Sequence, residues 1–231
     1  LHGCEGFSFA ALSREVPLQE IYLWCQRDIN VKDVLGFKNL QLLDFYICSL
    51  EGTEYLAELS SLKHLGLYWS SNLTNVDFLY QLPNLTFLSI GEDSVEDIAP
   101  ISTLTQLKSL YLSRCLLDDQ DMKNISQLTG LVHFGADSLG WSDGLQSPLE
   151  NLSFLRNLTA LEDISLDYSN VEIGSLTPLK NLDNLRTLSL EGLCMSDSNL
   201  RTLSKLTGLR ELNLKSSMIG DIKILSNLTN L

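Results

Sequence analysis

Apolar and polar positions alternate along this chain in two interleaved rhythms. A block of the form apolar-x-x-apolar-x-apolar begins at Leu18, Leu40, Leu62, Leu85, Leu107, Leu131, Leu161, Leu185 and Leu209, and Leu231 would open another. The intervals between starts are 22, 22, 23, 22, 24, 30, 24, 24 and 22 residues. In most units apolar residues also stand nine, six and three positions ahead of the next start: Ile98, Ile101 and Leu104 before Leu107, and Leu200, Leu203 and Leu206 before Leu209. The first rhythm closes in strict alternation, as in Leu185-Arg186-Thr187-Leu188-Ser189-Leu190, which predicts a short strand buried on one face. The second, with a period of three, predicts a short 3₁₀ or irregular helical segment returning on the other side. A unit of this size cannot bury both blocks by itself, so the units must stack.

Residues 18 to 231 thus form nine units, and residues 1 to 17, where Phe9 and Leu12 keep the upstream spacing, read as a partial repeat or an N-terminal cap. The last unit leaves an apolar flank that needs a cap or another unit, so the chain reads as part of something longer. Units such as LTFLSIGEDSVEDIAPISTLTQ (85–106) and LRELNLKSSMIGDIKILSNLTN (209–230) resemble leucine-rich repeats of the short bacterial, internalin-like class. That resemblance implies an α/β solenoid, a horseshoe with parallel strands on the concave face and short 3₁₀ or irregular helical segments on the convex face. The ninth position, where the family usually places an Asn that bonds the loop backbone, holds Gln26, Cys48, Ser70, Asp93, Cys115, Leu139, Ser169, Leu193 and Ser217. Cys48, Cys115 and the 24-residue units resemble the cysteine-containing variety instead.

In each strand the third, fifth and seventh positions point away from the leucines and are expected to line the concave face. The seventh runs Trp24, Tyr46, Tyr68, Gly91, Ser113, Asp137, Asp167, Glu191, Lys215; the third includes His64, Phe87, His133, Asp163 and Glu211, and the fifth Tyr22, Asp44 and Tyr111. Aromatic residues gather in the first five units and carboxylates from the sixth onward. Nine strands at about 4.8 Å make a surface on the order of 40 Å long, the size of a protein contact. Tyr22, Trp24, Tyr46, His64, Tyr68, Trp69, Phe87 and Tyr111 are therefore the candidate anchors, since exposed Trp and Tyr offer rigid area with a polar tip. His133, Asp137, Asp163, Asp167 and Glu191 are candidate orienting groups. The function this suggests is a non-enzymatic protein-recognition module. The alternatives are an acidic inhibitor of a basic enzyme, in principle like the ribonuclease inhibitor, a carbohydrate-binding surface, and the recognition part of a longer multidomain effector.

Charge narrows the partners. With 16 Lys plus Arg against 29 Asp plus Glu the formal net charge is −13, which disfavours nucleic acid and anionic lipid and favours a protein with a basic or neutral surface. No apolar run approaches the length of a membrane span. A monomer is expected. Five scattered cysteines, Cys4, Cys25, Cys48, Cys115 and Cys194, suggest small buried apolar residues in a reducing compartment, not a disulfide framework or a zinc site. No cofactor or metal site is expected. His133 with Asp163, and His64 with Asp44, are geometrically able to pair, but no activated nucleophile, phosphate loop or nucleophile elbow accompanies them. Asn72, Asn84, Asn124, Asn151, Asn157 and Asn227 each begin a sequon, several of them as part of the repeat's own NLT junction.

One unit departs from the pattern. Residues 131–160 contain LVHFGADSLGWSDGLQ, with Phe134 and Ala136 at leucine positions, yet Leu152, Leu155 and Leu158 keep the returning rhythm. The surplus therefore lies between Ala136 and Leu152, in the loop leaving the strand. Residues 138–147, with Trp141, would form a lip over His133, Gly135 and Asp137. Alternatively Trp141 or Leu139 turns inward to fill the space that Ala136 leaves.

Overall fold

The computed structural model describes residues 17–24, 28–91, 95, 97–115, 117–138, 141–142, 145–146, 151–168 and 175–231. The expectation of a cap or partial repeat falls on residues 1–16, outside the described residues. The solenoid reading holds: nine strands form one parallel sheet in chain order, one per unit. The five leading strands are Glu20–Trp24, Leu42–Tyr46, His64–Tyr68, Phe87–Gly91 and Ser109–Ser113; the four that follow, His133–Gly135, Asp163–Ser165, Thr187–Ser189 and Glu211–Asn213, span only three residues each. Equivalent positions of neighbouring units lie side by side, Leu43 against Leu65 and Leu65 against Leu88.

The period of three in the returning half has a direct backbone cause. The amide of each apolar residue donates to the carbonyl of the apolar residue three before it: Leu79 to Val76, Leu82 to Leu79, and Leu85 to Leu82. The chain thus winds as a 3₁₀ helix, here Asp77–Gln81, that puts every third side chain inward and hands over to the next strand. The same ladder recurs through Ile98, Ile101, Leu104 and Leu107, and through Leu152, Leu155, Leu158 and Leu161. All of these side chains are buried, and they join the strand leucines in one continuous core.

Two of the longer units use their surplus for helix instead of loop. The α-helices α1 (Asp119–Ile125) and α2 (Asp197–Leu203) replace the 3₁₀ turn in the units starting at Leu107 and Leu185. Asp118 caps α1 in a capping box with Asp121, and Ser196 caps α2 through the Asn199 amide. The extra turn brings a polar side chain into the core at the same repeat position in both. Asp121 accepts from the Ile98 amide at 3.4 Å, and Asn199 from the Leu176 amide at 3.1 Å. Each acceptor thereby ties its helix to the N-cap residue of the preceding unit's 3₁₀ helix, Ala99–Thr103 or Thr177–Asn181, whose amide would otherwise be buried without a partner.

The ninth position substitutes for the family's Asn by similar means. Cys48 Sγ donates to the Leu23 carbonyl, Ser70 Oγ to Phe45, Cys115 Sγ to Ile90 and Ser217 Oγ to Leu190, each reaching the sixth position of the preceding unit. Cys48 and Cys115 are buried as expected, but Cys194 is exposed, in the segment that leads from the strand Thr187–Ser189 to α2. Cys4 and Cys25 fall outside the described residues. Sequon Asn84 also has a structural task, donating to the Ser60 carbonyl of the preceding turn, as Asn184 and Asn230 do to Thr159 and Thr207.

Burial pushes the Asp121 carboxyl above its ordinary value, with the amides of Asp118 and Ile98 opposing. A group shifted this way stabilises the fold most below the ordinary carboxylate pKa, and that contribution is lost as pH rises through the folded value. Asn already fills the equivalent place at 199, so Asp121→Asn is expected to gain stability relative to the parent between pH 4 and pH 7. Urea melts at the two pH values measure this; a difference independent of pH would contradict it.

Candidate functional site

The strand registers put the expected columns on one face. Glu20, Leu42, His64, Phe87, Ser109, His133, Asp163, Thr187 and Glu211 form the third-position row, and Trp24, Tyr46, Tyr68, Gly91 and Ser113 the start of the seventh. In the aromatic half the side chains stack along the sheet instead of standing apart. Trp24 and Tyr46 have centroids 5.5 Å apart, Tyr46 and Tyr68 4.4 Å with planes 8° from parallel. His64 and Phe87 stack at 3.9 Å in the third row, and Phe87 meets Tyr111 at 5.6 Å. Strand spacing imposes these distances, because identical positions on adjacent strands lie a ring stack apart.

Not every outward position reaches solvent. An added β-carbon at Gly66 would overlap the Tyr68 ring and the Asp44 carboxylate, and one at Gly135 would overlap the Tyr111 ring. Glycine at the fifth position is therefore the seat on which a neighbouring tyrosine lies, and buried Gly66 and Gly135 form part of the floor of the surface, whereas Tyr22 in the same row stands open. Asp44, outward by register, is only 2 % exposed. It is held by His64 Nε2 at 3.0 Å and Tyr46 Oη at 3.4 Å. Burial, followed by the Asp44 charge, pushes the Tyr68 phenol well above its ordinary value. What remains open is led by Tyr22 (47 % exposed), Trp24 (50 %) and Trp69 (63 %), with Tyr46, His64, Tyr68, Phe87 and Tyr111 half-buried.

Trp69 owes its exposure to a feature invisible in the columns. It occupies the eighth position, as do Ile47, Arg114, Ser138, Tyr168, Gly192 and Ser216, and all seven have φ between 49° and 77°. The chain leaves each of these strands through one left-handed residue, although only one of the seven is glycine. Trp69 and the exposed Tyr168 are thus set on the rim just past the strand ends.

The acidic half is wired differently. Asp137 accepts from Ser165 Oγ at 2.5 Å and from the Asp167 amide at 3.2 Å; Asp167 accepts from Ser189 Oγ at 2.7 Å and from the Glu191 amide at 2.7 Å. Glu191 continues the chain with Asn213, Lys215 and the Tyr168 hydroxyl. Asp137 and Asp167 thus reach forward to the next strand and take the amide that the ladder would use, and in the last strand Asn213 Oδ1 takes the Lys215 amide instead, which accompanies the shortening of these strands. The Tyr168 hydroxyl first, then Asn213, hold the Glu191 carboxyl below its ordinary value, while burial pushes Asp137 up against the pull of Ser165. Tyr111 sits between the halves, its phenol raised chiefly by burial and then by the charges of Asp163 and Asp137. His133 Nδ1 pairs with Asp163 Oδ2 at 2.5 Å. Ser165, the hydroxyl on the neighbouring row, donates to Asp137.

The insertion is a small hairpin: Trp141–Ser142 pairs antiparallel with Leu145–Gln146. Leu139, Gly140, Asp143, Gly144 and 147–150 lie outside the described residues, as does the Trp141 side chain, and with them the choice between a lip and an inward plug. Beneath, Phe134 packs edge-on to Phe154 at 5.6 Å, so bulk at the fourth position accompanies the small, fully buried Ala136 at the sixth.

With this geometry the comparisons are direct. An internalin (inlF) from Listeria monocytogenes superposes with a TM-score of 0.73 at 28 % identity over 87 % of this chain. The chain is an internalin-like leucine-rich repeat protein. It spans 55 % of that internalin's length. Internalin C2 of the same organism gives 0.62 at 20 % identity, over 87 % of this chain and 73 % of its own. The ectodomain of the Arabidopsis receptor kinase HAESA, in complex with a peptide hormone ligand, gives 0.62 at 18 %, over 86 % of this chain and 34 % of its own. No family model and no curated protein matches the chain. Among the described residues no group of three or more His, Cys, Asp or Glu could hold a metal ion, and no helix is long and apolar enough to cross a membrane.

Two substitutions probe the two halves. Gly66→Ala displaces the Tyr68 ring and is expected to cost about 1–3 kcal/mol with loss of near-ultraviolet dichroism from the stack. Asp167→Ala strands the Ser189 hydroxyl and the Glu191 amide at a half-buried site, with an expected loss of about 1–2 kcal/mol in urea melts; unchanged melts would mean that water replaces the carboxylate.

Proposed function

We propose that this repeat domain is a non-enzymatic recognition module that takes a protein or peptide partner on the aromatic half of its concave face. The observation that carries this reading is the stacked run Trp24, Tyr46, Tyr68, flanked by exposed Tyr22 and Trp69 and backed by His64, Phe87 and Tyr111. A rigid, pre-ordered aromatic surface loses little side-chain entropy on binding and offers both apolar area and hydroxyl tips. The HAESA ectodomain, similar in fold, is in complex with a peptide hormone ligand, which supports a protein or peptide partner for a fold of this kind.

The acidic half carries less of the binding in this reading. Asp137, Asp167 and Glu191 already accept hydrogen bonds from the next strand, so a basic partner would compete with contacts the sheet itself uses. His133 and Asp163 border the surface as a mutually satisfied pair and help to orient a partner at its edge.

The test replaces only exposed rings: Tyr22→Ser, Trp24→Ser and Trp69→Ser together. The native protein and this variant serve as baits in parallel, with captured proteins identified by mass spectrometry. Expected are specific partners lost from the variant, a thermal melt lowered only by the lost Trp24–Tyr46 stack, worth about 1 kcal/mol, and native binding that weakens little as salt is raised. Equal capture by both baits would overturn the aromatic reading, and a steep salt dependence would favour the acidic-inhibitor alternative.

A further inference from the structure

Away from the concave face, on the rim where the returning segments enter the strands, a cleft of about 380 Å³ crosses three successive turns. We propose that this cleft binds a small phosphorylated molecule, held by Lys180, Arg186, Lys205 and Arg210. The proposal stands apart from the recognition surface and shares no residue with it.

Charge is the first argument. The chain carries 16 cationic residues against 29 acids, yet four of the cations line this one cleft, with Asp183 the one acid in its lining. The ion pairs among the described residues are His64 with Asp44, His133 with Asp163, and Lys215 with Glu191; the four cleft cations have none. Four cations lining one cleft without an ion-pair partner among the described residues give a local positive potential on an otherwise acidic molecule, which favours an anion there. At physiological salt the Debye length is about 8 Å, so acids elsewhere are screened and the local cations dominate within the cleft.

Geometry is the second argument. Arg186 is held in place: its Nη1 donates to the carbonyls of Asp183 and Leu185, both at 3.0 Å. A β-carbon at Gly208 would fall 2.6 Å from that same Nη1, so the glycine makes room for the guanidinium. Nε and Nη2 keep their donors without a protein partner among the described residues, and such a fork matches a pair of phosphate oxygens. Lys180, Lys205 and Arg210 are exposed around it and add two ammonium groups and a second guanidinium. The volume suits a small ligand, and the acidic surroundings oppose a long polyanion, whose backbone would have to cross them.

Calorimetric titration with inorganic pyrophosphate and with inorganic phosphate tests this on the whole chain at about 50 mM salt. Saturable pyrophosphate binding is expected, at least tenfold tighter than phosphate. It should weaken at least tenfold in the Lys180→Gln/Lys205→Gln/Arg210→Gln variant, whose fold is checked by circular dichroism. The single Arg210→Gln change serves if the triple variant does not fold, with a threefold or greater loss expected. Absence of saturable heat with the native protein, or equal affinity in the variants, would overturn the proposal. A phosphoserine peptide that binds more tightly than pyrophosphate would overturn the small-molecule assignment and give the cleft to a protein partner.

Discussion

The structure depends on one constraint: a repeat of about 22 residues cannot bury its own leucines. Leu43 and Phe45 on one strand are shielded only because Leu65 and Leu67 lie beside them in register, and those in turn because Leu88 and Ile90 do. Burial of apolar area is non-directional, but here it acts through a backbone that permits one direction of growth. The 3₁₀ ladder, the left-handed eighth residue and the ninth-position donor to the preceding unit all hold the chain to that direction. Even the polar intrusions obey it. Asp121 and Asn199, buried on α1 and α2, spend their acceptors on the preceding unit's amides and so reinforce the stack.

Because the interior is committed to leucine, variation is confined to the outward rows, and there two solutions appear. Aromatic rings at the strand spacing stack on one another, and glycine at the fifth position lets them lie flat; stability and surface come from the same contacts. Where the rings stop, carboxylates bridge forward to hydroxyls and amides, and the strands shorten from five residues to three. Both halves are ladders running perpendicular to the strands. They differ in what they leave for solvent: the first presents ring faces and hydroxyls, the second carboxylates with much of their accepting capacity already used.

How much of this was legible in the sequence follows from which interactions have a period. Core positions, strand register, returning helices and the outward columns could all be read, since each recurs with the unit. The pairing of His64 with Asp44 and of His133 with Asp163 could be read as possible, because columns set neighbours. Three things could not. The burial of Asp44 depends on Tyr68 folding over Gly66, a side-chain choice with no periodic signal. The left-handed turn is carried by residues as unlike as Ile47, Trp69 and Ser138, so composition hides a conformation that position enforces. The cationic cleft draws on the second position and on the turn before each strand, rows that do not face the sheet surface. A signal did exist there: Arg186 and Arg210 share the second position of adjacent units, and Lys180 and Lys205 precede the strands at nearly equal offsets.

That offset leads to a broader point about repeats. A stacked fold multiplies whatever stands at a given position, so two neighbouring units with the same departure create a cluster where one would leave an isolated residue. The concave aromatic run needs Trp24, Tyr46 and Tyr68 on three consecutive strands, and the cleft needs basic residues on two consecutive turns. Both arise from short local runs within a chain whose global tendency is the opposite, leucine inside and carboxylate outside. Net charge and mean hydropathy average such runs away. In a solenoid, chemistry is therefore read from runs within a column, and a column need not face the concave side to hold one.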